Sequence, residues 1–399
     1  MDRRGLPRNT HPAGRRRHRR TYNHRMRFLI LVAAVILPPA AFADDTLRVA
    51  TYNVSLYGDH AGQIAERLSD GFDDQAERIA RVVQTVRPDV LLINELDHDD
   101  QNASVTGLQK ILADGDRGID YPHRFAPPSN TGVPSGLDLD RDGRTDGPAD
   151  AWGYGKFPGQ YALAILSRYP IDKASIRTFA KFRWADLPGV TPPDDDSGVP
   201  YYDDAVWQTL KLSSKNHVDV PIVVGDRRLH VLASHPTPPV FDGPEDRNGL
   251  RNRDEIVFWR HYIDNHDAIR DDSGATGGLP AGESFVIAGD LNSDPDRGDS
   301  IRSGIAGLIA HHRVGEFVPL HDNADDIRQR NTTAQFGRGR VRVDYVLPSS
   351  DLTVTGGGVH WPADGSAAED VEASDHRLVW IDVALPIGAA ASDVDRTVR

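Results

Sequence analysis

Apolar runs of strand length that end on, or enclose, a polar side chain constrain this chain more than any other feature. The stretch "FVIAGDLNSDPDRGDS" (285–300) shows the pattern. Phe285 to Ala288 reads as a buried strand, and Asp290, Asn292, Asp294 and Asp296 follow at every second position. Asn53 follows "RVATY", Glu95 follows "VLLIN", His235 follows "HVLAS", and Asp375-His376 lies in "EASDHRLVW". Asp344 is enclosed by "VRVDYVL". Singly, each has a plain explanation. A strand-end Asn or Asp is ordinarily a turn former, and a lone His ordinarily lies at the surface or is hydrogen-bonded in the core. An acid within an apolar strand is harder to dismiss, because an unpaired carboxylate is costly to bury. Six such places in one chain predict strand ends that converge on a site for a cation and a phosphate.

The chain otherwise alternates strand and helix patterns. Strands are expected at 47–53, 88–94, 161–167, 284–290, 341–348 and 376–385, and "VWQTLKL", "VDVPIVV" and "RLHVLASH" read as an antiparallel meander. Helices are expected at 74–86, with Ala76, Ile79, Val83 and Val86 on one face, at 105–114 and at 253–269. Asp74 and Glu77 resemble a capping box at the start of the first helix. Helices between some strands and hairpins between others predict an α/β (α+β) fold of two packed mixed β-sheets flanked by helices. Loops at one sheet end would carry the chemistry. Segments 115–158, 181–204 and 236–252 are poor in pattern, and loops of such length are often functional. No internal repeat is evident.

Residues 26–43 carry the marks of a secretory signal peptide: Met26-Arg27, the apolar "FLILVAAVIL", and Ala41-Phe42-Ala43 as a cleavage signal. The run is too short to span a membrane stably, and no other apolar segment is long enough to serve as a transmembrane anchor. The arginine-rich residues 1–25 read as a translated upstream region, with a twin-arginine export signal or a basic nucleic-acid arm as alternatives. Residues 46–385 are expected to form a single domain and 386–399 a flexible tail. Without residues 1–43 the chain has 36 Lys and Arg against 58 Asp and Glu, a net charge of −22. So acidic a surface repels polyanions unless divalent cations intervene. That argues against a non-enzymatic binder whose Lys and Arg neutralise phosphate. There is no cysteine, hence no disulfide, although a secreted or periplasmic location would permit one.

In order, "TYNV", "PDVLLINE", "ALAILSRYP", "ASH", "GDLNSDP", "RVDYVL" and "SDH" closely resemble the motifs of the endonuclease/exonuclease/phosphatase superfamily, as a secreted bacterial-type member, over about residues 46–384. The resemblance implies a four-layered sandwich that hydrolyses phosphoric esters at a divalent metal. It implies Glu95 as the principal metal ligand, with Asn53 and Asp375 nearby, and such oxygen ligands suit Mg²⁺ or Mn²⁺. Asp290 would orient or deprotonate the attacking water, and Asn292 would donate to the transferring phosphoryl group. His376, oriented by Asp344, would contact the phosphoryl oxygens or transfer a proton. His235 matches the second histidine of the deoxyribonuclease-like branch, an acid for the leaving oxygen. Tyr161 lies where the family often places a phosphate-contacting side chain.

After His235, "PTPPVFDGPEDRNGLRNRDEIVFW" is long, proline-rich and charged. It is expected to form a rim, with Asn248, Arg251, Asn252 and Arg253 as substrate contacts. "DLDRDGRTD" (138–146) places Asp138, Asp140, Asp142 and Asp146 as in a calcium loop, with Gly143 at the sharp turn. Ala149 stands where the closing Glu would be, so that ligand is missing unless Asp150 serves. The expected activity is nuclease-like phosphodiester hydrolysis by direct water attack, because both histidines are kept. A phosphomonoesterase or an inositol-phosphate or phospholipid hydrolase is the alternative, and a catalytically inactive binding module the least favoured. The expected partner is a phosphate ester, nucleic acid or small organic phosphate, and the expected state a monomer.

Overall fold

The computed structural model describes residues 46–386 apart from 196 and 325. The signal-peptide segment, the residues before it and the tail from 387 lie outside the described residues. In chain order the strands are β1 (Thr46–Leu56), β2 (Val90–Leu96), β3 (His123–Phe125), β4 (Leu163–Ser167), β5 (Arg177–Thr178), β6 (His217–Val224) and β7 (Arg227–Ser234). They continue with β8 (Phe285–Asp290), β9 (Ala334–Phe336), β10 (Gly339–Val341), β11 (Asp344–Pro348), β12 (Thr353–Val359) and β13 (Val379–Ala384). The α-helices are α1 (Gln63–Arg67), α2 (Asp74–Val86), α3 (Ala103–Ala113), α4 (Asp204–Trp207), α5 (Arg247–Ile263), α6 (Ser303–Ile309) and α7 (Gly365–Val371).

One sheet has the order β12-β13-β1-β2-β4-β3 and the other β11-β8-β7-β6-β5, with β9 and β10 a separate hairpin. Each sheet contains one parallel pair, β1 with β2 and β7 with β8. Their other pairings are antiparallel. Alternation along each strand decides which layer a side chain enters. In β1, Leu47 and Val49 face the other sheet, whereas Ala50, Tyr52 and Val54 face the helix layer of α1, α2, α3 and α7. In β8, Val286 and Ala288 face the other sheet, whereas Phe285 and Ile287 pack with Phe258 and Trp259 of α5 and Leu308 of α6. The result is a four-layered α/β/β/α sandwich of two mixed sheets.

The same parity, carried to the strand ends, places Asn53, His235, Asp290 and Asp344 between the sheets. Glu95 breaks it. Leu91 and Ile93 face the helices, so strict alternation would send Glu95 there too. A left-handed φ of 58° at Glu95 turns the chain, and Leu96 takes the helix-side place instead.

Local details differ from the sequence expectations. The start of α2 is capped by Asp73, whose carboxylate accepts the Ala76 N–H at 2.9 Å, so the cap lies one residue before the expected pair. Helix α5 begins at Arg247, six residues earlier than the expected 253, so the charged rim segment is largely helical. "VWQTLKL" forms no strand: Asp203 caps the Val206 N–H at 2.7 Å and starts the short α4. Among the described residues no helix is long and apolar enough to cross a membrane.

Candidate active site

Three side chains, Asn53, His235 and His376, bridge the seam between the sheets at one end. Asn53 of β1 donates its Nδ2–H to Asp290 Oδ2 of β8 at 3.1 Å. His235, just beyond β7, brings Nε2 to 3.8 Å from Glu95 Oε1 of β2 and 3.5 Å from Asp290 Oδ2. His376, just before β13, holds Nδ1 at 2.9 Å from Asp344 Oδ2 of β11 and Nε2 at 3.6 Å from Asp290 Oδ2. Asp344 and Asp290 are direct partners across the β8–β11 ladder, and His376 lies over both carboxylates. The six sequence positions therefore do converge. Asp375 joins them at the rim, half-exposed, with Oδ1 at 4.0 Å from His376 Nε2 and accepting the Ser55 hydroxyl at 3.0 Å.

Two histidines in one site take opposite charge states. Burial disfavours the His376 imidazolium, but the Asp344 and Asp290 carboxylates overcome it and raise its pKa to about 10. Burial holds the His235 pKa well below the usual value, and Lys215 and His376 add to that. Among the described residues neither His235 ring nitrogen has a hydrogen-bond partner, and Nε2 faces the Asp290 and Glu95 carboxylates. Burial pushes the Asp290 carboxyl up to about 7; His376 opposes the rise and Asp344 adds to it. Desolvation likewise raises the Glu95 carboxyl, against His376, Asn53 and Lys215 and with help from Asp375. A carboxylate so placed is stabilised as an anion by a divalent cation. The oxygen donors of Glu95, Asp375 and Asn53 fit a hard ion such as Mg²⁺ or Mn²⁺.

Neighbouring groups fix these side chains. The Asn292 N–H donates to Asp290 Oδ1 at 2.9 Å, and Asn292 Nδ2 donates to the Pro236 carbonyl at 3.1 Å. Ser374 Oγ donates to the Asn53 carbonyl at 2.7 Å and accepts the His376 N–H at 3.1 Å. Tyr161 sits at the rim beside Tyr57, ring centroids 4.6 Å apart, and burial with nearby Tyr57 and Glu95 pushes its phenol up to about 12.

The rim residues of α5 hold loops together. Arg251 donates to the carbonyls of Leu212, Trp152 and Lys211 at 2.6–2.9 Å. Asn252 donates to the Thr237 and Leu291 carbonyls, and Asn248 donates to the Val240 carbonyl. Arg253 pairs with Asp254 at 2.7 Å. In the acidic loop, Asp138, Asp140 and Asp150 bring ligand atoms to within 4.8 Å of one another. Asp142 instead accepts the Arg144 N–H, and Asp146 pairs with the Arg144 side chain.

A family model described as the Endonuclease/Exonuclease/phosphatase family matches residues 50–376. The chain belongs to that family. It is accordingly an enzyme that hydrolyses phosphoric ester bonds. Among solved structures, an endonuclease/exonuclease/phosphatase from Beutenbergia cavernae DSM 12333 aligns with a TM-score of 0.50 and 19% identity, over 85% of this chain and 72% of that one. An endonuclease/exonuclease/phosphatase family protein from Leptotrichia buccalis C-1013-b gives 0.48 and 15%, over 85% and 100%. Sphingomyelinase C from Streptomyces griseocarneus gives 0.43 and 18%, over 85% and 99%. At these identities the likeness is one of fold. No curated protein matches the sequence.

Two members of this Endonuclease/Exonuclease/phosphatase family site escape the sequence pattern. Lys215, 6% exposed, precedes β6; burial lowers its pKa, and Glu255, Glu95 and Asp290 oppose that fall and favour the ammonium. Glu255 of α5 accepts the Ser214 and Thr237 N–H groups at 2.7 and 2.6 Å, which clamps the loops that carry Lys215 and His235. The missed signal was polarity at the N-terminal end of a strand. An antiparallel neighbour begins where its partner ends, so "SSKN" before β6 reaches the same end of the sheet as His235 after β7.

Proposed function

We propose that this chain is a divalent-metal-dependent phosphodiesterase of nuclease type, exported from the cell, in which water attacks phosphorus directly. The supporting observation is Asp290 Oδ2 flanked by two imidazoles, His235 Nε2 at 3.5 Å and His376 Nε2 at 3.6 Å. A carboxyl poised near neutrality suits a general base, and Asn53 and the Asn292 N–H orient it toward a water. The protonated His376, held by Asp344, donates to a phosphoryl oxygen and offsets the charge that develops there. His235, kept neutral by burial, is a hydrogen-bond donor to the leaving oxygen and not the acid expected from the sequence, and that oxygen takes its proton from solvent. Mg²⁺ or Mn²⁺ held by Glu95, with Asp375 and Asn53 beside it, would polarise the phosphoryl group and stabilise the leaving oxygen.

A second reading, hydrolysis of small organic phosphate esters, is favoured by the net charge of −22 after residue 43, which opposes approach of a polyanion. The two separate when plasmid DNA, RNA, bis-p-nitrophenyl phosphate, p-nitrophenyl phosphate, phytate and sphingomyelin are offered with Mg²⁺, Mn²⁺ or Ca²⁺. Cleavage of DNA and the diester, lost by about 10²-fold or more in His376→Ala, supports the phosphodiesterase. Turnover of the monoester and phytate alone rejects it. For the acidic loop we retain calcium as a second ion, now on Asp138, Asp140 and Asp150. Added Ca²⁺ should raise the melting temperature of chelated protein but not of Asp140→Ala, and an equal rise in both excludes this site.

A further inference from the structure

An ammonium group that is buried without a partner needs a reason, since its desolvation is costly. Lys215 Nζ offers three donors, yet among the described residues its hydrogen-bond acceptor is the Pro236 carbonyl at 3.5 Å. Glu255, the strongest of its electrostatic neighbours, already accepts from Ser214 N, Ser214 Oγ and Thr237 N. The other two acidic neighbours, Glu95 and Asp290, belong to the site, and Arg251 adds a like charge from α5. Beside it His235 is 2% exposed, with neither ring nitrogen hydrogen-bonded among the described residues. The Pro236 carbonyl that receives Lys215 also receives Asn292. One wall of the site thus gathers an ammonium, an imidazole and an amide, all with hydrogen-bonding capacity left over. Glu95 lies 3.8 Å from His235, and Asp375 lies at the rim beside His376.

Resting on the phosphoesterase reading, we propose that Lys215 is the second cation of this site: it binds a phosphoryl oxygen on the Asp290–His235 side, and a single divalent ion on the Glu95 side completes the charge. A fixed ammonium there attracts the substrate anion and repels a second metal ion. It also explains why the buried Glu255 and Asn252 of α5 pin the loops on both sides of it: they hold Lys215 and His235 at one spacing.

The test uses opposite signs. Calorimetric titration of Mn²⁺ into the metal-free protein, and of inorganic phosphate into the Mg²⁺-loaded protein, is run on wild type, Lys215→Met and Lys215→Arg. With the acidic loop silenced by Asp140→Ala, the protein should bind one Mn²⁺ per chain. Lys215→Met should bind Mn²⁺ roughly threefold or more tightly, because a like charge is gone, and phosphate roughly tenfold or more weakly. Lys215→Arg, which keeps the charge, should stay within about threefold of wild type in both. Lys215→Gln gives the same readout if Lys215→Met does not fold. A second Mn²⁺ that persists in Asp140→Ala, or phosphate affinity unchanged in the uncharged variants, overturns the proposal. Weakening of both ligands together also overturns it, as that marks a merely structural lysine. No readout requires turnover, so an inactive protein showing both shifts would reject the proposed reaction and leave this assignment standing.

Discussion

Glu95 holds a left-handed backbone, φ 58°, that a residue with a side chain rarely adopts. Such strain persists where function over-determines it, at roughly 1–3 kcal/mol. In chelator, Glu95→Gly should therefore melt higher than wild type while losing metal-dependent turnover; a lower melting temperature would show that the turn is unstrained. The titrating groups give a second prediction. The folded pKa of Asp290 is raised to about 7 and that of His376 to about 10. Both favour the protonated folded state, so their contribution is full at low pH and fades as pH rises, for Asp290 between about 4 and 7 and for His376 between about 6.5 and 10. Urea midpoints of metal-free protein should fall across the first window, and Asp290→Asn should flatten that limb. A wild-type slope retained in the variant would reject the assignment. At this scale the sequence was most legible, because a charged residue at the end of an apolar strand must have a reason. Lys215 was illegible only because the pattern was sought where strands finish and not where antiparallel partners start.

Gly289 lets β7 and β8 lie side by side. A Cβ added there would stand 2.0 Å from the Ser234 carbonyl. Gly289→Ala should destabilise the protein by about 2–3 kcal/mol and should reduce turnover further, since His235 and Asp290 flank the contact. Stability within a few tenths of wild type would mean the strands have room to part. The buried strands were readable from Val, Ile and Leu content, whereas in β12, "TVTGGGV", three consecutive glycines interrupt the β-branched pattern. Its place comes from pairing with β13. Helix α5 was misplaced for a similar reason: Gly249 in "RNGLRN" looks like a turn former. Arg251, Asn252 and Glu255 nevertheless gain partners on four loops only if the helix already runs there, so tertiary contacts override the local preference.

For the whole molecule, the acidic exterior predicts an unusual salt response. A polyanionic substrate is repelled at long range, so added monovalent salt should raise kcat/KM for plasmid DNA between about 10 and 150 mM, where the screening length shortens to about 8 Å. Cleavage of bis-p-nitrophenyl phosphate should change far less. A steep fall for DNA would reveal a basic track that outweighs the net charge. The order of the layers was foreseeable from strand and helix alternation, but the way each motif crosses from one sheet to the other was not, because parity along a strand says nothing about which sheet it joins. Asn53, Glu95 and His376 come from one sheet, whereas His235, Asp290 and Asp344 come from the other. Reactive geometry here is set by how two slabs are glued. The aliphatic filling of Val49, Leu92, Val220, Val286 and Ile381 acts as a spacer gauge, and a methyl group lost deep inside it would be felt as a misaimed imidazole at the mouth.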